Sequence, residues 1–130
     1  MSDLSTAAGL AASGMTAQSG RLRHIAENVA NADTPGYQRK IATFQPEAPW
    51  SDPAEAVRTG PVQLDRTEAE RVYDPAHPLA DDGGYYTGSN VDLVTEITDA
   101  REAQRSYEAN LNMLDRAREM KRGLIGLLQR

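Results

Sequence analysis

The chain has 130 residues, a net charge of −5 and no cysteine, with one Phe and one Trp. That is the size of a single domain. It excludes a disulfide framework, a thiolate zinc cluster and a thiol nucleophile, and with so few large aromatic anchors the core of an isolated subunit is expected to be thin. Residues 1–40 carry four basic and three acidic groups, residues 41–91 three basic and nine acidic, and residues 92–130 seven of each. The acidity therefore sits in the middle, without the basic footprint that nucleic-acid binding needs.

The chain starts Met1-Ser2-Asp3-Leu4, with no basic segment followed by an apolar run, so no cleavable signal peptide is expected. From Leu4 to Ala32 a small or apolar residue recurs at alternating steps of three and four: Leu4, Ala8, Ala11, Met15, Gln18, Leu22, Ile25, Val29 and Ala32, with Gln18 the polar exception. This is a 3.5-residue repeat, the pattern of a left-handed helical seam. Gly9, Gly14 and Gly20 interrupt it, each costing roughly 1 kcal/mol relative to alanine. Such a helix needs partners along its length.

The repeat stops in Asn28-Val29-Ala30-Asn31-Ala32-Asp33-Thr34-Pro35-Gly36-Tyr37. Pro35 fixes its own φ and pushes Thr34 out of the α region. Pro-Gly is the pair a type II turn takes, with glycine at the position of positive φ. All seven prolines lie between Pro35 and Pro78. Within that region Tyr37–Phe44, Pro61–Leu64 and Arg71–Tyr73 are β-compatible, while Glu47–Pro53 and Asp81–Gly84 have loop chemistry.

Residues 91–128 read as a second long helix with Asn90 or Asp92 as N-cap and Glu96 in its first turns. Its seam runs Ile97, Ala100, Gln104, Tyr107, Leu111, Leu114, then shifts phase to Ala117, Met120, Leu124 and Leu127. Arg116, Arg118, Lys121, Arg122 and Arg130 read as complements to the negative end of the helix dipole. The expected fold is mainly α: two long terminal helices pair as an elongated antiparallel coiled-coil hairpin, with a small loop-rich β insertion between them. Residues 1–36 with 91–130 would form a discontinuous helical core, and 37–90 the insertion. A hairpin cannot bury two seams and also Leu10, Val94, Ile125 and Leu128, so further subunits are expected to cover the remainder. The assembly seam is assigned to Leu22, Ile25, Val29, Ile97, Tyr107, Leu111, Leu114, Met120 and Leu124.

Little catalytic chemistry is legible. His24 follows Arg23 on a helix and reads as a surface residue. His77, between Pro75 and Pro78, reads as part of a rigid extended segment where it packs or hydrogen-bonds locally. Asp81-Asp82-Gly83 lacks the ligand spacing of a calcium loop, and no phosphate-cradling glycine loop or Ser-His-Asp pattern is present. No catalytic residue, metal ligand or cofactor is assigned, and an enzyme is the least favoured class.

The string Ala26-Glu27-Asn28-Val29-Ala30-Asn31-Ala32-Asp33-Thr34-Pro35-Gly36-Tyr37 resembles the N-terminal signature of the bacterial flagellar axial proteins, the rod and hook subunits. Ser13–Gln18, Val72-Tyr73-Asp74-Pro75-Ala76-His77-Pro78-Leu79-Ala80-Asp81, Gly84-Tyr85-Tyr86, Asn90-Val91-Asp92 and Arg105-Ser106-Tyr107-Glu108-Ala109-Asn110 are similar to the proximal-rod branch of that family. The family-motif positions are Asn28, Asn31, Thr34, Pro35, Gly36, Tyr37, His77, Pro78, Asn90 and Asn110. Ser89 stands where that branch often has proline, which predicts a looser approach to the second helix. The resemblance implies a non-enzymatic subunit of the periplasmic rod of the basal body, exported unprocessed by the flagellar type III apparatus. It implies as partners further copies of the chain, FlgB, FlgF, the distal rod and the adaptor at the export gate, with no nucleic acid and no membrane insertion. The alternatives are the neighbouring rod protein FlgB, which would lack His-Pro-Leu-Ala-Asp, and a non-flagellar coiled-coil adaptor.

Overall fold

The structure, a computed structural model, describes residues 2–46 and 56–130; the loop expected at Glu47–Pro53 lies outside them. Helix α1 spans Ser2–Ala30 and α2 spans Leu93–Leu128. Between them lie β1 (Lys40–Ile41), β2 (Phe44–Pro46), β3 (Val57–Thr59), β4 (Gln63–Leu64), β5 (Arg71–Tyr73) and β6 (Tyr85–Thr87). No helix among the described residues is long and apolar enough to cross a membrane.

The end of α1 follows from local chemistry. The Asn31 side chain donates to the Glu27 carbonyl at 2.8 Å, satisfying an orphan acceptor of the last turn. Two residues past Thr34, Gly36 has φ +73, and the Tyr37 N–H returns to the Thr34 carbonyl at 3.2 Å. This is the expected type II turn, and its glycine conformation is one a Cβ would strain. Helix α2 is capped by Asp92, which accepts from the Val94 N–H at 3.0 Å and from the Thr95 hydroxyl at 3.1 Å. Asn90, the other candidate cap, does different work.

The helices run antiparallel. The Asn28 side chain meets Glu96, and a Cβ placed on Gly14 would lie 2.8 Å from the Asn110 side chain. The buried line on α2 is Glu96, Ala103 and Ala117, with half-buried Asn110 completing an unbroken seven-residue repeat. The line that faces α1 is therefore not the line of large apolar residues. Ile97, Gln104 and Leu111 each sit one residue after the buried line, about 100° around the helix. Ile97, Met120 and Val29 are 52 %, 61 % and 44 % exposed, Leu111 and Leu124 are also exposed, Leu22, Tyr107 and Leu114 are half-buried, and Ile25 alone of the assigned seam is buried. Large apolar side chains hold helix axes apart; the closest approach selected Ala, Gly and Asn instead. The phase shift after Leu114 belongs to the outer stripe, and the helix pairing passes through it unbroken.

Among the described residues the insertion forms three two-stranded antiparallel ladders. β1 pairs with β4 and β2 with β3, so residues 40–46 and 57–64 form one interrupted ribbon; β5 pairs with β6 in a separate hairpin. β3 lies along one flank of α1, where the Val57 N–H donates to the Ser13 hydroxyl at 3.2 Å and a Cβ on Gly20 would meet Thr59 at 3.0 Å. Ala17 and His24, seven residues apart, are buried on α1, with Ala17 between the two β3 contacts and His24 beside Lys40–Ala42 and Phe44. His24 is therefore not a surface residue, because the insertion covers that flank. The expected strand over Tyr37–Phe44 is shorter than its propensity, since Tyr37 and Arg39 are drawn into other bonds. Strands β3 and β6 were not legible in the sequence.

Candidate functional site: a polar knot and an open helical stripe

Where α1 stops and α2 begins, the chain ties a buried polar knot. Asn28 and Glu96 are fully buried. The Asn28 amide donates to the Lys40 carbonyl at 2.9 Å and to a Glu96 carboxylate oxygen at 3.2 Å. Its oxygen accepts from the Tyr37 hydroxyl at 3.0 Å and from the Lys40 N–H at 2.8 Å. Both donors and both lone pairs of the side chain are thus used. The other Glu96 oxygen takes the Arg39 Nε, and Arg39 Nη2 reaches Asp99 at 2.7 Å. Burial lowers the Arg39 pKa, but the bond to Glu96 and the charges of Glu96, Asp99 and Asp65 outweigh it and hold the guanidinium above its ordinary value.

A second layer fastens this centre. Asn90 accepts from the Arg39 N–H at 2.6 Å and donates to the Asp65 and Thr67 carbonyls at 2.9 and 3.1 Å. Lys40 Nζ pairs with Glu27 at 2.7 Å. That hydrogen bond lowers the Glu27 pKa and raises that of Lys40. Arg21 bridges Glu102 at 3.3 Å and Asp99 at 3.6 Å. The Ser89 hydroxyl donates to the Ala32 carbonyl, and the Gly36 N–H reaches the Thr87 and Gly88 carbonyls at 3.3 and 3.1 Å. Ser89 therefore fastens the approach to α2, the opposite of the looser approach expected for it.

The knot has the chemistry of a clamp. Each of its cations is paired with at least one carboxylate, and a buried charge that is both paired and hydrogen-bonded fixes geometry more than it adds net stability. A cleft of about 220 Å³ lined by Arg21, His24, Arg39, Glu96 and Asp99 borders it. Among the described residues, no three His, Asp or Glu side chains cluster as metal ligands.

The remaining motif residues fall in two places. Asn31, Thr34, Pro35 and Gly36 build the turn, with the Thr34 hydroxyl donating to Asn31 at 3.1 Å. His77 lies in two successive turns, not an extended segment, because its N–H and carbonyl bond Asp74 and Ala80 at 3.1 and 3.0 Å. It stacks on Tyr86 at 3.9 Å, and its Nδ1 accepts from the Leu79 N–H at 3.1 Å; Pro78 shapes the second turn. Asn110 sits against Gly14, away from the knot, and donates to the Ser106 carbonyl at 2.8 Å. Arg39, Lys40, Asp65 and Asp99 carry no signal as site residues in the sequence, and Glu96 reads there only as a dipole partner. Nothing in their spacing points to a shared centre, since the fold brings them together from three separate segments.

On the flank of the helix pair away from β3, the outer stripe stays open. Ala12, Met15 and Thr16 of α1 face Tyr107 and Leu114 of α2 across a groove, and Leu4 and Ala8 continue it toward Ala117.

Two segments of the chain match known families, and both regions draw residues from each. The family described as "Flagella basal body rod protein" matches residues 10–38, and the one described as "Flagellar basal body rod FlgEFG protein C-terminal" matches residues 82–127. Asn28 and Tyr37 come from the first, Asn90 and Glu96 from the second. The chain is 40 % identical to the flagellar basal-body rod protein FlgC of Agrobacterium fabrum, over 99 % of this chain and 98 % of that one. It is 36 % identical to FlgC of Salmonella typhimurium over 85 % and 87 % of the two chains, and 32 % identical to FlgC of Borreliella burgdorferi over 92 % and 94 %. The chain belongs to the FlgC family of flagellar basal-body rod proteins. As an FlgC-family protein it is a structural subunit of that rod and assembles with other rod components. The FlgB and adaptor alternatives give way to this assignment.

Proposed function

We propose that this FlgC-family subunit polymerises into the proximal part of the rod as a helical tube around the export channel, and that it transmits torque by stiffness with no catalytic step. The observation that supports this most is the open stripe. Ile97, Leu111 and Val29, which are exposed, and Met15, Tyr107 and Leu114, which are half-buried, form an apolar surface that the hairpin itself leaves incompletely covered. Exposed apolar surface of this extent marks an interaction face. The knot supplies the complementary property, fixing the angle at which the insertion leaves the helices. In this reading the helical core of 1–36 with 91–130 lines the tube and the insertion of 37–90 makes contacts between subunits. Leu22, Met120 and Leu124 belong to the same assembly surface, whereas Ile25 is already buried within the subunit. Its partners are further copies, FlgB, FlgF, the distal rod and the adaptor at the export gate, reached in the periplasm through the flagellar type III apparatus.

A density map of basal bodies assembled with this chain tests the reading. Neighbouring subunits should cover Tyr107, Leu111 and Leu114. A rod in which that face of α2 meets only solvent would overturn it.

A further inference from the structure

The two ends of the molecule carry opposite charge that is not internally paired. With Asn28 opposite Glu96 and Gly14 opposite Asn110, Ser2 falls opposite Arg122, so α2 from Gly123 onward runs past the described start of α1. Every residue of α2 from Lys121 to Leu128 is exposed, Leu127 and Leu128 by 67 % and 79 %. The same tip carries Arg116, Arg118, Lys121 and Arg122 against Asp115 and Glu119, and none of these six is in an ion pair among the described residues. The last turn of α2 contains no basic residue. The helix dipole acts within that turn, so it does not account for these cations, contrary to the expectation from sequence.

The β5–β6 hairpin is at the other end, fastened beside the α1–α2 junction by Gly36 and Ser89. Here Glu68, Glu70, Asp74 and Asp82 are exposed and in no ion pair among the described residues, while Arg71 is taken by Asp81. Asp81 also accepts from the Gly83 and Tyr85 N–H groups at 2.9 and 3.0 Å, which makes the turn rigid. It presents Tyr73, Leu79 and Tyr85, which are 64 %, 65 % and 43 % exposed. Each end thus combines bare apolar side chains with a net excess of one sign of charge, positive at the tip and negative at the hairpin.

We propose that the basic, apolar tip of α2 docks on the acidic, aromatic β5–β6 hairpin of a second copy of this chain. The inference rests on the polymerising role above and names the contact. Two different surfaces meet, so the interface is heterologous and does not close on itself, which extends a helical array. Tip-to-tip and hairpin-to-hairpin pairings would place like charges together and are disfavoured.

The absence of cysteine makes the test clean. Leu127→Cys and Leu79→Cys give two single-thiol chains. In basal bodies assembled from their mixture, a bis-maleimide reagent should join one variant to the other, and neither variant alone should cross-link. In parallel, Lys121→Glu with Arg122→Glu should lower the number of rods per cell about tenfold. Adding Glu70→Lys with Asp82→Lys in the same chain should restore it, a rescue that a merely misfolded tip would not show. Basal bodies that contain both thiol variants but yield no cross-link would overturn the docking and leave the rod role standing. So would charge-reversed chains that assemble like wild type, or a charge swap without rescue. A wild-type chain absent from basal bodies would overturn both.

Discussion

At the α1–α2 junction the helices are held by directional bonds, and along the rest of their length by contact of small side chains. The junction buries Asn28 and Glu96 completely and ties five chain segments through Arg39, Asn90 and Ser89. The buried apolar residues of the described chain are Ala11, Ala17, Ile25, Ala103 and Ala117. Burying an isoleucine contributes about 1.5–3 kcal/mol and each alanine less, so the distal half of the hairpin has little to hold it closed. The difference shows a division of labour. Where the subunit must present a fixed angle, it uses satisfied polar groups that tolerate one geometry. Where it will be covered by neighbours, it keeps its large apolar side chains on the outside.

The sharpest way to break this contrast is Arg39→Met. It leaves the buried Glu96 carboxylate without its cation, and loss of one partner from a buried pair costs about 3–5 kcal/mol. Chemical denaturation of the monomer should show a loss of that size, with the insertion released from α2; an unchanged midpoint would remove the knot from the centre of the fold. A smaller effect is expected in the distal half from Gly14→Leu, where a Cβ would come within 2.8 Å of Asn110. Overpacking there should cost about 1–3 kcal/mol. Combining it with Asn110→Ala should recover part of the loss in a double-mutant cycle.

Leu111→Asp separates folding from assembly. Leu111 is 37 % exposed in the monomer, so the isolated chain should lose no more than about 1 kcal/mol. Rods should nevertheless fail to form, because a neighbour would bury an unpaired carboxylate. Normal swimming with intact rods would show that the stripe is not covered. The smallest effect is expected from pH. Bonds from Lys40 to Glu27, from the Thr67 hydroxyl and N–H to Asp65, and from the Tyr85 N–H to Asp81 hold these carboxyls below their usual 4.5 and 3.8. Groups lowered in the folded state stabilise it above the unfolded pKa and lose that contribution as pH falls through the folded one. Lys40, raised above 10.5 by Glu27, behaves in the opposite sense at high pH. Thermal melts should therefore be flat between these ranges and decline gradually below about pH 4.5; a decline beginning near neutrality would point to other groups.

Local chemistry was sufficient to read both helices, the type II turn at Pro35-Gly36 and the loop-rich middle of the chain, because each depends on a few adjacent residues. The motif residues Asn28, Asn31, Tyr37 and Asn90 were also legible, but only as a family pattern. Their bonds were not, since Asn28 is completed by Lys40 and Glu96, and Asn90 by Arg39, Asp65 and Thr67.

The sequence by itself determined that two amphipathic helices flank a proline-punctuated insertion, and that they carry more apolar surface than one hairpin buries. Periodicity encodes that much, because it reports which residues share a helix face. Only the tertiary structure decided which of two adjacent stripes on α2 faces α1. Ile97 and Leu111 carried the stronger hydrophobic signal, but close approach of two backbones favours the smallest side chains. Gly14, Ala103 and Ala117 therefore took the interior and left the larger residues outside. It likewise decided that His24 and Glu96 are buried, a property set by the segments that fold over them and not by their neighbours in the chain.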